Sequence, residues 1–302
     1  MLYVVTEMSY LRLIKYPGSK ATLLPDIEKV FKRSRTKRLI DVFGGSGSVA
    51  LNLRAKEVVY NDINPDLSNL FLAIREDPDY MINRLTDLLS SARYDQAEWN
   101  GPVRKRNSGR EKNVALKQII NSILINDDKH MQDQKKSQSP DLSHAFSTLC
   151  RFSASFGGMG ETYGTETEKA IFTYMRKTLH DFRQISISIS TWNIENLDFR
   201  ELVGKYDSPN AFFYFDPPYP GKDWYDNDFR LDDYDDMAEI FETLRGKYLM
   251  NLDRKHKNLE GVFGKPSFIR KYYNSNGGQN SKQPVRLKSF YTNVPLQNTQ
   301  SE

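Results

Sequence analysis

The chain has 302 residues, 38% of them hydrophobic, and its 43 Lys and Arg residues against 39 Asp and Glu residues give a formal net charge of +4. The mean hydropathy is −0.65, and no apolar run approaches the ~20 residues that a membrane span needs. A single cysteine, Cys150, excludes an internal disulfide and a cysteine-based zinc cluster. Residues 1–14 lack the charged-then-apolar order of a signal peptide, so we expect an intracellular, cytoplasmic protein.

The charge is distributed unevenly along the chain. Residues 1–40, 101–140 and 243–290 are basic, whereas residues 216–242 are strongly acidic. Basic segments of this kind suit a protein that meets a polyanion on one face. Each segment taken alone is better explained as a solvated surface.

The first motif is the Lys-Tyr-Pro-Gly-Ser-Lys turn at residues 15–20, just before a predicted helix at 23–31. Backbone N–H groups in a turn flanked by two lysines suit a carboxylate or a phosphate. An ordinary turn before a helix is the alternative interpretation.

A buried strand is predicted at 37–43, followed by a Gly-Gly-Ser-Gly-Ser loop at 44–48 and a helix at 49–55. Strand, glycine turn and helix are typical of dinucleotide-type folds, where glycines let the backbone approach a ligand. The third glycine of the pyrophosphate-binding pattern is absent, which argues against NAD and favours a ligand without phosphates. A simple tight turn is the alternative.

The second predicted strand, 57–63, carries Asp62 near its end. An acid at this place is positioned to accept the two hydroxyls of a ribose; the alternative is that it caps the next helix. Asn64 and Pro65 supply an N-cap and a first helical residue for that helix. The helical spacing of residues 66–99 is interrupted at Pro78, which predicts two helices.

Residues 75–180 are predicted to form a second, smaller lobe inserted into the chain. A helix is predicted at 114–125 and a mobile loop at 130–141, and no sheet period runs through the region. Arginines and polar residues in such a lobe are suited to contact DNA and read base edges, whereas a folded cap without a partner is the alternative. The candidate DNA-binding residues are Arg104, Lys105, Arg106 and Arg151.

The remaining elements lead to the C-terminus. Isoleucines alternate with serines at 182–192, which predicts a strand. The acidic and aromatic residues 220–236 are predicted to form a flap. The other predictions are strands at 211–215, 248–252 and 289–294, a helix at 237–245 and a disordered tail at 295–302. The histidines, which show no metal-ligand spacing and are interpreted as incidental, are His130, His144, His180 and His256.

The predicted strand 211–215 ends in Asp216, Pro217, Pro218 and Tyr219. The prolines stop the strand because they lack an N–H for the sheet ladder. If the carboxylate of Asp216 and the carbonyl of Pro217 each accept an N–H of an exocyclic amino group, the nitrogen lone pair is freed for attack. Tyr219 can stack on the base, worth about 1–3 kcal/mol, and a base in a duplex must first be flipped out. A strand-ending turn with a capping Asp is the alternative.

In this order, the motifs at 15–20, 41–48, 61–62 and 216–219 resemble those of the class-alpha, Dam-type DNA adenine methyltransferases. The resemblance implies an α/β fold with a Rossmann-like methyltransferase sheet and an inserted, mainly helical target-recognition domain. It places the catalytic domain at 1–74 and 181–294 and target recognition at 75–180. The implied binding residues for S-adenosylmethionine are Tyr16, Lys20, Asp41, Phe43, Gly45, Gly47, Asp62 and Asp216, and the implied catalytic residues are Asp216, Pro217, Pro218 and Tyr219.

The resemblance further implies direct methyl transfer to a flipped adenine in double-stranded DNA, without a metal. It is compatible with a cognate restriction endonuclease that acts separately. Two alternatives stay open from the sequence: methylation of another amino group, on cytosine or RNA, and a non-catalytic DNA-binding protein of the same fold.

Overall fold

The computed structural model describes residues 10–16, 20–92, 114–133, 139–155, 167–219, 229–256, 259–273 and 285–296. The chain divides into two compact units. One, here called the sheet unit, comprises residues 20–63 and 192–302; the other, the helical unit, comprises residues 1–19 and 64–191. None of the helices in the described ranges has both the length and the apolar character of a membrane span.

All strands of the described residues lie in the sheet unit. They are β1 (Arg38–Asp41), β2 (Glu57–Asn61), β3 (Asn193–Glu195), β4 (Ala211–Phe215), β5 (Lys247–Asp253), β6 (Phe268–Tyr273) and β7 (Val285–Thr292). The strand order is β3-β2-β1-β4-β5-β7-β6. The first five strands are parallel, and β7 runs antiparallel to both β5 and β6. The predicted α/β, Rossmann-like sheet is therefore confirmed.

The described residues also contain ten helices. They are α1 (Leu24–Ser34), α2 (Ser48–Asn52), α3 (Pro65–Glu76), α4 (Pro78–Ser91), α5 (Val114–Asp133), α6 (Leu142–Ala154), α7 (Glu168–Ile189), α8 (Phe199–Tyr206), α9 (Leu231–Thr243) and α10 (Glu260–Phe263). Helices α3 to α7 belong to the helical unit and the others to the sheet unit.

Strand β4 is buried along its whole length, which explains its uninterrupted apolar sequence. Alternate residues face opposite sides of the sheet. Phe213 and Phe215 pack into a core cluster with residues of α8 and α9, whereas Phe212 lies edge-on to Phe31 of α1, with ring centroids 5.2 Å apart. The sheet is thus covered on both faces at β4. A binding site is therefore expected at the ends of the strands.

The strand order reverses between β1 and β4, and a reversal of this kind is where open parallel sheets bind ligands, beyond the carboxyl ends of the strands. Asp41, the last residue of β1, lies opposite Tyr214 in the register with β4. Asp216 follows two residues later and on the same side as Tyr214, because side chains alternate. Parallel pairing therefore brings the two predicted site acids to one edge of the sheet.

The local signals at the start of the helical unit were predicted correctly. Asn64 is the N-cap of α3, its side chain accepting a hydrogen bond from the backbone N–H of Asp66, and Pro65 is the first helical residue. The break at Pro78 is also confirmed: Asp77 caps α4 through the backbone N–H of Tyr80, at 2.9 Å. Both signals depend on residues within one turn, so the sequence alone suffices to recognise them.

The strand predicted at 182–192 is wrong, because residues 182–189 form the last turns of α7, which ends at Ile189. Phe182, Ile185 and Ile189 are buried at a spacing of three and four residues, whereas Ile187 is 72% exposed. The alternation of isoleucine with serine fits a strand, but the buried face has the helical period. The burial of Phe182, Ile185 and Ile189 in the helical unit therefore favoured the helix over the strand.

The helical unit is larger than the predicted lobe at 75–180, because it includes α3 and residues up to 191. The side chain of Asn69 on α3 is hydrogen-bonded in both directions to the backbone of Asp141, at 2.9 and 2.8 Å, and these bonds join α3 to the start of α6. Helix α5 also extends to Asp133, into the loop predicted at 130–141. Target recognition by this unit stays a prediction.

The interpretation of His144 as incidental is wrong. This histidine of α6 is only 6% exposed, with Nε2 2.9 Å from Oδ1 of Asp66 and Nδ1 2.9 Å from Oδ2 of Asp127. The hydrogen bond to Asp66 is the largest cause that raises the pKa of His144 to about 9, against the opposing effect of burial. The same bond lowers the pKa of Asp66. The imidazole is therefore charged at neutral pH and joins α3, α5 and α6.

We expect the free energy of unfolding to fall as the pH rises from about 6.5 to above 9, because the folded chain holds the proton of His144 more tightly than the unfolded chain. The stabilisation by the protonated His144 is fully present below pH 6.5 and is lost as the pH rises through 9. Since a shift of one pKa unit corresponds to ~1.4 kcal/mol, this stabilisation amounts to about 3 kcal/mol. Denaturant unfolding from pH 6 to 10 measures it. His144→Gln should abolish this part of the pH dependence, and His180→Gln, at an exposed histidine, should retain it. Equal pH profiles for the wild type and His144→Gln would contradict the assignment.

Candidate active site

The loop between β1 and α2 requires its glycines for two different reasons. Gly45 and Gly47 have φ angles of 50° and 67°, in the left-handed region that side chains with a Cβ disfavour. Gly44 has no room for a Cβ, which would lie 2.3 Å from Cε2 of Tyr60 and 2.9 Å from the carbonyl oxygen of Asn61. The hydroxyl of Tyr60 donates to the carbonyl of Gly45 at 2.7 Å. The loop therefore packs closely against β2.

Asp62, at the end of β2, is bonded to this loop. Its Oδ2 accepts a hydrogen bond from the backbone N–H of Gly45 at 2.7 Å, and the residue is 8% exposed. The alternative role considered from the sequence, capping of α3, belongs instead to Asn64. The acid is therefore oriented by the glycine loop at the carboxyl edge of the sheet.

Asp41 is buried at the end of β1 and accepts a hydrogen bond from the backbone N–H of Ala50 at 3.2 Å. Burial raises the pKa of its carboxyl well above the ordinary value, the bond from Ala50 opposes this, and the charges of Asp216 and Asp62 raise it further. The charge of Lys20 lowers the pKa of Asp41. Asp62 and Asp216 are thus close enough to Asp41 for their charges to affect its pKa.

Asp216 is held from two sides. Lys20, which is 7% exposed, forms an ion pair with its Oδ2. The side chain of Asn251, on β5, donates to its Oδ1 at 3.1 Å. Tyr214 in turn donates to Oδ1 of Asn251, which determines the orientation of the amide. The carboxylate is therefore positioned by a cation and a neutral donor before any substrate binds.

Tyr219 lies beside this acid. Its hydroxyl oxygen is 3.0 Å from Nζ of Lys288 on β7 and 3.4 Å from Nδ2 of Asn251. Its ring stacks with that of His256, with centroids 5.6 Å apart and an interplanar angle of 26°. The turn before it is anchored by the buried Tyr234 of α9, whose hydroxyl donates to the carbonyl of Pro218.

Three side chains beside Asp216 and Tyr219 were not among the predicted site residues: Asn251, His256 and Lys288. They come from β5, the segment after β5, and β7, and none belongs to a motif. His256 was interpreted as incidental, whereas its ring stacks on Tyr219. Asn251 does occur as a polar residue inside an otherwise apolar predicted strand, and it is fully buried. A polar side chain at such a place needs a partner, which is a usable signal. For the other two no signal in the sequence exists.

Phe43 and Tyr16, two further predicted cofactor residues, make contacts with other aromatic rings. Phe43 is partly buried in the aromatic core, with its ring centroid 5.9 Å from that of Phe199 and 6.4 Å from that of Phe215. Tyr16 belongs to the helical unit, where its ring centroid is 5.5 Å from that of Phe152.

The predicted DNA-binding residues are described only in part. Arg151 lies on α6, with Nη2 3.4 Å from Oδ1 of Asp128 and 3.9 Å from Oδ2 of Asp127. The other three, at 104–106, lie outside the described residues.

Part of the acidic segment has a structural explanation. Arg200 of α8 forms ion pairs with Asp233 and Asp236 of α9 and with Asp198, the N-cap of its own helix. Burial lowers the pKa of Arg200, but the bonds to Asp233, Asp236 and Asp198 together raise it above its ordinary value. Residues 220–228 of the predicted flap lie outside the described residues. Within the described ranges, no group of three or more His, Cys, Asp or Glu residues is arranged to hold a metal ion.

The comparisons with known proteins agree on one family. The model of the D12 class N6 adenine-specific DNA methyltransferase matches residues 16–286. The type II methyltransferase M.MjaIII of Methanocaldococcus jannaschii is 26% identical over 291 residues, which cover 87% of this chain and 93% of that protein. A DNA adenine methylase of Vibrio cholerae is 34% identical over 70 residues, 23% of this chain and 24% of that protein. One of Haemophilus influenzae is 34% identical over 73 residues, 24% and 25% respectively.

Proposed function

Since the chain belongs to the D12 class N6 adenine-specific DNA methyltransferases and is an adenine-specific DNA methyltransferase, we propose that it transfers the methyl group of S-adenosylmethionine to the exocyclic amino group of an adenine flipped out of duplex DNA. The observation that carries the proposal is the position of Asp216. This acid follows β4, next to the end of β1, and its charge, like that of Asp62, acts on Asp41.

The acids of the site suit this cofactor. Asp216 is paired with Lys20, Lys288 lies 3.6 Å from Asp253, and Asp62 accepts a backbone N–H of the glycine loop. Carboxylates at the carboxyl ends of the strands favour a ligand that presents hydroxyl and cationic groups over one that presents phosphates. S-adenosylmethionine has a sulfonium and an ammonium group and no phosphate, and it would supply an electrophilic methyl group. Asp62 and the glycine loop are proposed to bind its ribose and methionine portions.

Asp216 and Tyr219 are proposed to bind and orient the target adenine. The carboxylate of Asp216 accepts one amino N–H and the carbonyl of Pro217 accepts the other, so that the nitrogen lone pair is directed out of conjugation with the ring. Tyr219 holds the base by stacking. Because the methyl group is already electrophilic, the residues of this site contribute by orientation and by these two acceptors.

The proposal extends to partners. The helical unit, with Arg151 and the basic residues 104–106, is proposed to contact double-stranded DNA and read the recognition sequence. The type II name of the archaeal relative supports a separate cognate restriction endonuclease as a partner in function. The enzyme is proposed to act in the cytoplasm, where its DNA substrate lies.

The test is methyl transfer from tritiated S-adenosylmethionine to plasmid duplex DNA, with RNA of matched length as the control. We expect label in DNA only, recovered as N6-methyladenine after nuclease digestion, and sequencing of the methylated bases gives the recognition site. Label in RNA or on cytosine, or no transfer at all by the folded protein, would overturn the proposal.

A further inference from the structure

Lys288 is a charged residue at the proposed active site that no motif includes. It lies on β7, the strand that is antiparallel to β5, and it pairs there with Asp253. Directly paired residues of antiparallel strands place their side chains on the same face of the sheet. Alternation along β5 puts Asn251 on that face as well. The last strand of the described residues thus brings a lysine to the proposed site.

The contacts of Lys288 converge on one phenol. Its Nζ lies 3.0 Å from the hydroxyl oxygen of Tyr219 and 4.7 Å from the centre of the same ring. Asn251 donates to this oxygen at 3.4 Å. Two donors occupy both lone pairs of a phenol oxygen. The hydroxyl hydrogen is then directed away from both donors, and the ring is held at its outer end.

Charged residues of several neighbouring elements act on the ammonium or pair with its strand. Asp253 of β5 approaches within 3.6 Å, Asp216 and Lys20 influence it at longer range, and Arg270 of β6 is its other cross-strand partner. Burial and the charge of Lys20 lower the pKa of Lys288 to about 8, while Asp253 and Asp216 oppose the decrease. The lysine is therefore mostly protonated at neutral pH and loses its charge within a range where enzymes are readily assayed.

We propose that Lys288 is a positioning residue, which holds the phenol of Tyr219 by a charge-assisted hydrogen bond so that the ring can stack on the target adenine. A donor that carries charge makes a bond about twice as strong as a neutral one, so the uncharged lysine holds the ring less firmly. This inference rests on the proposed function of Asp216 and Tyr219.

The first test compares kinetic constants. Lys288→Met keeps a similar side-chain volume but removes the hydrogen-bond donor. We expect kcat to fall about tenfold, which corresponds to roughly 1.4 kcal/mol in the activation barrier. KM for S-adenosylmethionine should change little. Lys288→Arg should recover most of kcat. The matched control is Lys271→Met on β6, an exposed lysine, which should leave kcat unchanged.

The pH profile separates a positioning role from a merely structural one. In the wild type we expect kcat to decrease as the pH rises through about 8, because Lys288 loses its charge there. In Lys288→Arg the decrease should disappear from this range, because arginine stays protonated. An unchanged profile in Lys288→Arg would overturn the proposal.

The second test is a double-mutant cycle with Tyr219→Phe, which removes the phenol oxygen. If Lys288 acts through that oxygen, Lys288→Met should cost nothing further in the Tyr219→Phe background. Additive losses would overturn the proposal, as would wild-type kcat in Lys288→Met. If the wild-type enzyme itself transfers no methyl group to DNA, the proposed function fails as well, so the two failures are distinguishable.

Discussion

Replacement of Asp216 by alanine is expected to abolish methyl transfer while DNA binding is largely retained. The variant loses the acceptor that is proposed to free the lone pair of the amino group, and a single preorganised electrostatic contact of this kind is worth about 10²–10³ in kcat. It also leaves Lys20 without its carboxylate partner in a place where that lysine is only 7% exposed. A misplaced lysine beside a cationic cofactor adds to the loss.

The measurement is single-turnover transfer of tritiated methyl groups, with DNA affinity determined in parallel by gel shift. Asp216→Asn is the informative companion, because it preserves the volume and an acceptor for Lys20 but removes the charge. Asp235→Ala, at an exposed acid of α9 in the same unit, serves as the matched control and should be fully active. Substantial methylation by Asp216→Ala would contradict the mechanism.

Replacement of Gly44 by alanine is expected to disrupt the glycine loop. The added Cβ would lie 2.3 Å from the ring of Tyr60. That ring has no room to move, because it stacks on Trp192 at 6.2 Å and its hydroxyl is bonded to the carbonyl of Gly45 at 2.7 Å. Overpacking of this kind costs about 1–3 kcal/mol. We expect stability to decrease by that amount and affinity for S-adenosylmethionine to fall, because Gly45 also orients Asp62.

Thermal unfolding and calorimetric titration with the cofactor measure the two effects. Gly204→Ala is the matched control: this glycine lies in α8, and a Cβ there would meet nothing within 4 Å. In a helix, alanine is more stable than glycine by about 0.5–1 kcal/mol, so this variant should be slightly stabilised. Unimpaired stability and cofactor binding in Gly44→Ala would show that the loop tolerates the displacement of Tyr60.

The glycine loop shows how much of the site the sequence predicts. Strand, glycines and helix follow each other within about fifteen residues, so their order along the chain already indicates the turn. Which glycine is needed for which reason was not predictable. The limit at Gly44 is set by Tyr60 from the neighbouring strand, and only the pairing of β1 with β2 brings that ring onto the loop.

The error at α7 has the same origin. Isoleucine and serine alternate over 185–190, and this pattern is compatible with a strand as well as with one face of a helix. The choice depends on which side chains find a buried surface, and that surface is supplied by residues distant in the chain. In the same way, the pairing of His144 with Asp66 and Asp127 joins three helices and leaves no trace in the spacing of any one of them.

The sequence by itself determined the chemistry-bearing ends of three strands: the buried acid of β1 with its glycine turn, the acid after β2, and the proline-terminated acid of β4. These are local features, since a proline, a glycine or a helix cap acts on its immediate neighbours. Only the tertiary structure decided that Asn251 and Lys288 meet at Asp216 and Tyr219. The physical reason is strand register: hydrogen-bonded pairing across the sheet, and not proximity in the chain, places side chains from its last strands beside an acid that precedes them by up to 72 residues.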